Sequence, residues 1–148
     1  MDLITKYYVS WDDVQAYITA IADTFKDRQF DCILSIARGG AIIGTMLSHK
    51  LDIPIQYIGI SSYNNTQKTN NIKYYQYPNL LNYKNIIVID DIIDTGDTIN
   101  SIKTDIAANM KESHFIYTTM YATLNQSTKV DYYYKLKTNE WIQFPWEY

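Results

Sequence analysis

The stretch Ile86-Ile87-Val88-Ile89-Asp90-Asp91-Ile92-Ile93-Asp94-Thr95-Gly96-Asp97-Thr98 decides the fold. Its apolar start has the pattern of a buried parallel strand, and it delivers Asp90 and Asp91 at the strand's carboxyl end, where open α/β sheets bind ligands. Asp94 and Asp97 follow, so four carboxylates fall within eight residues. Their mutual repulsion calls for a cation, a polyol with hydroxyl donors, or a raised pKa. Thr95-Gly96-Asp97-Thr98 adds small residues and backbone N–H groups just before a helix start, a phosphate cradle by geometry and dipole. The combination suggests a phosphorylated sugar carried with a divalent metal. Simple helix capping by Asp94, Thr95 or Asp97 would need one acid, not four.

The flanking sequence alternates between strand and helix patterns. Before the window, Cys32-Ile33-Leu34-Ser35-Ile36 predicts a buried strand that runs into Arg38-Gly39-Gly40, with a helix over 41–51 and a strand over 53–60. After it, Ile99, Ile102, Ile106 and Met110 share one helical face, and Phe115 to Leu124 predicts another strand. Nearer the N-terminus, Ser10 and Asp13 form a capping-box pattern ahead of Val14, Ile18, Ile21 and Phe25, which predicts a helix from Trp11 to about Lys26. Strand and helix alternating at this spacing indicate an α/β sheet with parallel, right-handed crossovers. The polar, Asn-rich segment 61–83 reads as an irregular insertion of the kind that serves as a lid. The C-terminal segment 130–148 is rich in large aromatic groups, which must dock on the body or on a partner.

The chain has 148 residues, 47% hydrophobic and 20% charged, enough for one domain with a substantial core. Its net charge of −3, more than accounted for by the four clustered aspartates, lacks the basicity of a nucleic-acid or anionic-membrane binder. No stretch has the length and apolarity of a membrane span. A single cysteine, Cys32, in an apolar run cannot form an internal disulfide and makes a reducing, cytoplasmic setting the default expectation. His49 and His114 lack paired metal-ligand spacing.

The decisive window resembles the PRPP-binding motif of the type I phosphoribosyltransferases: apolar residues, paired acids, two more apolar residues, then Asp-Thr-Gly and Thr. Four further segments, in order, are similar to the bacterial xanthine-guanine branch of that family. They are Tyr8-Val9-Ser10-Trp11-Asp12, Ile36-Ala37-Arg38-Gly39-Gly40, Ile60-Ser61-Ser62-Tyr63 and Trp141-Ile142-Gln143-Phe144-Pro145-Trp146-Glu147. The resemblance implies the type I phosphoribosyltransferase fold, a mostly parallel twisted sheet flanked by helices with a small hood. It also implies a single domain over 1–148, with the hood at about 61–83 and a base-binding tail at about 130–148.

The same resemblance implies transfer of a phosphoribosyl group from PRPP to a 6-oxopurine such as guanine, xanthine or hypoxanthine, with Mg²⁺ and in purine salvage. Ala37, Arg38 and Gly39 would take pyrophosphate, with the peptide before Arg38 cis and the Ala37 N–H turned toward the ligand. Lys68 would reach the phosphates from the hood. Asp90 and Asp91 would hold the ribose hydroxyls and the metal, Asp91 foremost for the metal. Ile92, Ile93, Asp94, Thr95, Gly96, Asp97 and Thr98 would surround the 5′-phosphate, with Asp94 also the general base for the purine N7 proton. Trp141 would stack on the base and backbone groups of Ile142 would read its edge. Trp146 is expected in the core or at an interface. The family's Lys-Pro pair, whose lysine meets the purine 6-oxo group, is missing here; Tyr121, Ser127 or Lys129 takes its place. The family and the aromatic terminus suggest a homodimer or homotetramer. The competing expectation is a regulator on the same fold that senses PRPP or a nucleotide without catalysis.

Overall fold

The computed structural model describes residues 3–64 and 70–148, with side chains for all of these except 62–64, 70 and 71. In chain order the elements are β1 (Lys6–Tyr8), α1 (Trp11–Thr24), β2 (Cys32–Ala37), α2 (Ala41–Leu51), β3 (Ile55–Asn64) and β4 (Asn70–Gln76), then β5 (Asn85–Ile93), α3 (Asp97–Asp105), β6 (His114–Ala122), β7 (Tyr132–Leu136) and β8 (Trp141–Gln143). Six strands share one sheet in the order β4-β3-β2-β5-β6-β7, and β1 and β8 make a second, two-stranded sheet. Every pairing in the larger sheet is parallel except β3 with β4. The fold is therefore the α/β arrangement implied by the sequence, with β2 and β5 at its centre.

Consecutive residues of the central strands point to opposite faces, so an unbroken apolar run fills two cores at once. Ile33, Ile87 and Ile89 pack with Val14, Ile18 and Ile21 of α1 and with Ile43 and Leu47 of α2. Leu34, Ile36, Ile86 and Val88 pack with Ile99 and Ile102 of α3. Each fully buried Ile or Leu contributes about 1.5–3 kcal/mol, which fixes the strand ends from which the site is built. Among the described residues no helix is long and apolar enough to cross a membrane.

Several boundaries differ from the sequence reading. α1 begins as expected: Asp13 N–H donates to Ser10 Oγ and Ser10 N–H to Asp13 Oδ2, each at 3.0 Å. It stops at Thr24, where Phe25 leaves helical geometry at φ −109°, ψ 15°. α3 ends at Asp105, so Met110 lies beyond it rather than on its face. The hydroxyls of Ser101 and Thr104 bond back to the carbonyls of Asp97 and Asn100, a competition that weakens a short polar helix.

The larger correction concerns the segment 61–83. Its described part is largely strand up to Gln76: β3 runs on to Asn64, and β4 returns antiparallel beside it, while 77–83 is irregular. Ile72 and Tyr74 are half-buried while Lys73 and Tyr75 are exposed, the alternation of a strand with one covered face. The polar composition hid that pattern. The aromatic C-terminus divides in two. β7 extends the large sheet beside β6, whereas β8 pairs with β1 at the other end of the chain. The terminal aromatics thus dock on their own chain, with Trp141 and Tyr148 still exposed.

Candidate functional site

The carboxyl ends of β2 and β5 lie side by side, and two loops close over them. β2 ends at Ala37, the Ala37–Arg38 peptide is cis, and Gly39-Gly40 leads into α2. A Cβ on Gly39 would sit 2.5–2.6 Å from Cγ and Oδ1 of Asp91. A side chain there would have to displace the Asp91 carboxylate, so glycine lets the loop backbone lie directly against the β5 acids.

Asp90 is 9% exposed, and its Oδ1 accepts the Asp91 N–H at 2.8 Å. Burial pushes its carboxyl well above the usual range, and the charge of Asp91 adds to the shift. Burial also raises Asp91, to about 6. Among the described residues no ion pair joins either acid to a basic side chain. Two carboxylates in contact, one buried and one half-buried and neither ion-paired among the described residues, form a site that gains from receiving a cation.

Beyond β5 the chain turns through Asp94, Thr95 and Gly96 before α3. Gly96 sits at φ +85°, in the left-handed region, and a Cβ there would lie 2.8 Å from Gln126 Oε1. Glycine is needed for conformation and for space. Residues 92–99 with Asp90 line a small hollow of about 130 Å³. It adjoins a cleft of about 870 Å³ lined by residues that include Ala37, Arg38, Gly39, Asp90, Asp91 and Thr98. Among the described residues the cleft lining combines one cation, Arg38, and the N–H groups of its turn with the carboxylates Asp90 and Asp91, a setting for a polyanion that carries hydroxyls or a bound cation.

The structure brings most of the expected residues together. Ala37, Arg38, Gly39, Asp90, Asp91 and Thr98 share the cleft, and Ile92, Ile93, Asp94, Thr95, Gly96 and Asp97 share the hollow. Lys68 lies outside the described residues. Trp141 is 54% exposed and Ile142 is buried in the core; neither lines the cleft. Of the substitutes for the missing lysine, Tyr121 is buried against Phe144, and the Ser127 hydroxyl donates to Leu124 O. Lys129 lies beside the hollow, with Cδ 3.5 Å from the Gly96 Cβ position. His49 and His114 are exposed, and Cys32 is buried, its thiol pushed up to about 12 by burial.

Sequence reasoning gave no individual role in the cleft to six of its lining residues, Ile36, Ile60, Ser61, Tyr75, Trp146 and Glu147, although all but Tyr75 lie in the segments that carry the resemblance. Tyr75 arrives because β4 folds back and lays its ring over Gly59. Trp146 packs against the core as expected, stacked on Phe144 at 4.9 Å and 6°, yet it also forms cleft wall. Thr123 was missed as well; its hydroxyl donates to Asp94 O at 3.3 Å and its N–H to Ile93 O at 3.1 Å, tying the end of β6 to the β5 loop.

Known proteins share this arrangement. The family model for the phosphoribosyl transferase domain matches residues 8–148. A xanthine-guanine phosphoribosyltransferase of Chromohalobacter salexigens is 27% identical over 146 residues, covering 96% of this chain and 84% of that protein. The crystal structure of a purine phosphoribosyltransferase from Pyrococcus horikoshii superposes with a TM-score of 0.83 at 28% identity, covering 98% of this chain and 95% of that one. The Helicobacter pylori xanthine-guanine-hypoxanthine phosphoribosyltransferase superposes with a TM-score of 0.86 over 96% of this chain and 94% of that one. At 21% identity, that last likeness is one of fold.

Proposed function

Because the chain belongs to the phosphoribosyltransferase family, we propose that it transfers the 5-phosphoribosyl group of PRPP to a purine base, releasing pyrophosphate and a nucleoside 5′-monophosphate. The observation that carries the proposal is the Asp90–Asp91 pair at the end of β5, with Asp90 buried, set against the Arg38-Gly39 turn in one cleft. Their relatives' names support a purine, and the 6-oxopurines guanine, xanthine and hypoxanthine come first.

Arg38 and the N–H groups of the 37–39 turn bind the pyrophosphate, whose negative charge grows as the bond to C1 of the ribose breaks. The 95–98 loop amides take the 5′-phosphate and hold the sugar in line with the base. Lys68, outside the described residues, would reach the phosphates from the hood. Asp90 and Asp91 hold the ribose hydroxyls. As the new C–N bond forms at the electron-poor C1, Asp94 accepts the N7 proton of the purine. Trp141 stacks on the base, backbone groups of Ile142 read its edge, and Lys129 approaches it from the side of Gly96.

The acid pair suits Mg²⁺. Among the described residues no cluster of three or more potential metal ligands occurs, and Mg²⁺ is commonly held by one or two carboxylates with substrate phosphates supplying the rest. Asp91, with Asp90, would hold it. Bound there, the ion would neutralise the leaving charge of pyrophosphate.

The test is to incubate the protein with PRPP and Mg²⁺ against hypoxanthine, guanine, xanthine, adenine and orotate, and to identify any nucleotide formed. A 6-oxopurine nucleotide is expected, with stoichiometric pyrophosphate. Folded protein that forms no nucleotide with any base would overturn the proposal.

A further inference from the structure

Parallel register sets which side chains stand side by side. Asp90 of β5 pairs with Thr119 of β6, so the two side chains leave the same face of the sheet as neighbours on adjacent strands. Thr119 is fully buried and Asp90 is 9% exposed. The two threonines at this point of β6 behave differently. Thr118, on the opposite face, donates its hydroxyl to Val88 O at 2.8 Å. Thr119 Oγ1 is buried with no hydrogen-bond partner among the described residues.

An unpartnered buried hydroxyl is destabilising, and valine has the same shape and at least equal strand preference. A threonine here is therefore accounted for by a state in which its hydroxyl is used. The polar side chain beside it in register is Asp90, whose Oδ1 is already engaged by the Asp91 N–H. An ionised carboxylate has about four acceptor sites, so Asp90 can meet a ligand in the cleft and still accept from below.

We infer that Thr119 is a positioning residue for Asp90: its hydroxyl donates to the Asp90 carboxylate in the PRPP-bound state and fixes the orientation in which that carboxylate meets the ribose hydroxyls. The inference rests on the PRPP reading above and goes beyond it, because Thr119 lines neither cavity.

The test compares wild type, Thr119→Val and Thr119→Ser by calorimetric titration with PRPP and MgCl₂, by steady-state kinetics, and by thermal melting without ligand. Losing one charge-assisted hydrogen bond should weaken PRPP binding about tenfold in Thr119→Val and raise the PRPP KM with it. The KM for the base should be unchanged, the melting temperature should be equal or higher, and Thr119→Ser should restore wild-type affinity. In an Asp90→Asn background Thr119→Val should add no further loss of PRPP affinity. Unaltered PRPP affinity in Thr119→Val, or a fully additive loss in the double variant, would overturn the inference while leaving the proposed reaction standing. A wild-type protein that binds no PRPP would overturn both. Should Thr119→Val not fold, Thr119→Ala replaces it in the same cycle and is held to the same outcomes for PRPP affinity.

Discussion

Two of the walls of the cleft differ in origin. One wall, residues 86–98, is contiguous in sequence: a buried strand ends in its acids, a left-handed glycine turns the chain, and α3 begins. The other wall, Trp146 and Glu147, reaches the cleft only because the two chain ends are tied together. β8 lies parallel to β1, Val9 N–H donates to Gln143 O at 2.8 Å, and the Tyr148 hydroxyl donates to Val9 O. Trp11 of α1 and Phe144 then flank the Trp146 ring. The difference teaches a division of labour. Charge chemistry is set by local order, where one residue's shift would displace an acid, whereas the aromatic surface is set by long-range docking that many sequences could achieve.

The contiguous wall should therefore show the larger kinetic effects. Asp94→Asn keeps the shape of the loop and removes the proton acceptor, so turnover should fall by roughly 10²–10⁴ while PRPP affinity is retained. Single-turnover kinetics with PRPP binding measured separately would check this; an unchanged rate removes Asp94 from the role of base. Gly39→Ala, in the turn packed against this wall, ranks next. The new methyl would meet the Asp91 carboxylate at contact distances that real Cβ atoms do not show, forcing the loop or the acid to move. Overpacking of this kind costs about 1–3 kcal/mol, and here it should appear as a higher PRPP KM with little change in the KM for the base. A variant that affected the two substrates equally would break the assignment of the 37–39 turn to PRPP.

The docked wall yields a paired prediction. Trp141 is half exposed and stands away from the core, so Trp141→Ala should leave the melting temperature near its starting value. It should raise the KM for the base by a factor corresponding to about 1–3 kcal/mol of lost stacking. Trp146→Ala removes a ring that is stacked on Phe144 and tilted against Trp11, so it should lower the melting temperature by several degrees. The opposite pattern, with Trp146→Ala acting on the KM for the base and Trp141→Ala silent, would move the base contact to the residue that lines the cleft.

The same division explains what was legible in the sequence. Asp90, Asp91 and the 94–98 loop could be placed from an apolar run and its terminating acids because their spacing is covalent. The strand after Asp52, by contrast, was legible only to Ile60. Beyond it, Asn and Ser replace apolar residues, and the alternation of Ile72 and Tyr74 with Lys73 and Tyr75 is too short to stand out before β3 is known to lie beside it. Tyr75 and Trp146 carried no local signal for the cleft. One is placed by a hairpin and a glycine opposite, the other by pairing between residues more than 130 positions apart. The role of Thr119 is of the same kind, since it depends on the register of β6 against β5.

The smallest effect expected is on stability, and it tests whether the contiguous wall is held under electrostatic tension. The Asp91 carboxyl is raised to about 6 in the folded protein from its ordinary 3.8, chiefly by burial. The folded state thus retains a proton that the unfolded chain releases near pH 4. This contribution to stability is full below about pH 4 and is lost as pH rises through about 6, so ligand-free protein carries the whole penalty at pH 7.5. Asp91→Asn keeps the volume and removes the charge. It should raise the melting temperature at pH 7.5 by roughly 2–6 °C, corresponding to about 1–2 kcal/mol, and leave it nearly unchanged at pH 4. The same variant should bind PRPP and Mg²⁺ more weakly, because the penalty of a charged carboxylate taken out of water is what a bound cation offsets. If Asp91→Asn melted lower than wild type at both pH values, the carboxylate would be a structural anchor for the Gly39 turn, and the contrast between the two walls would fail on the side where it is strongest.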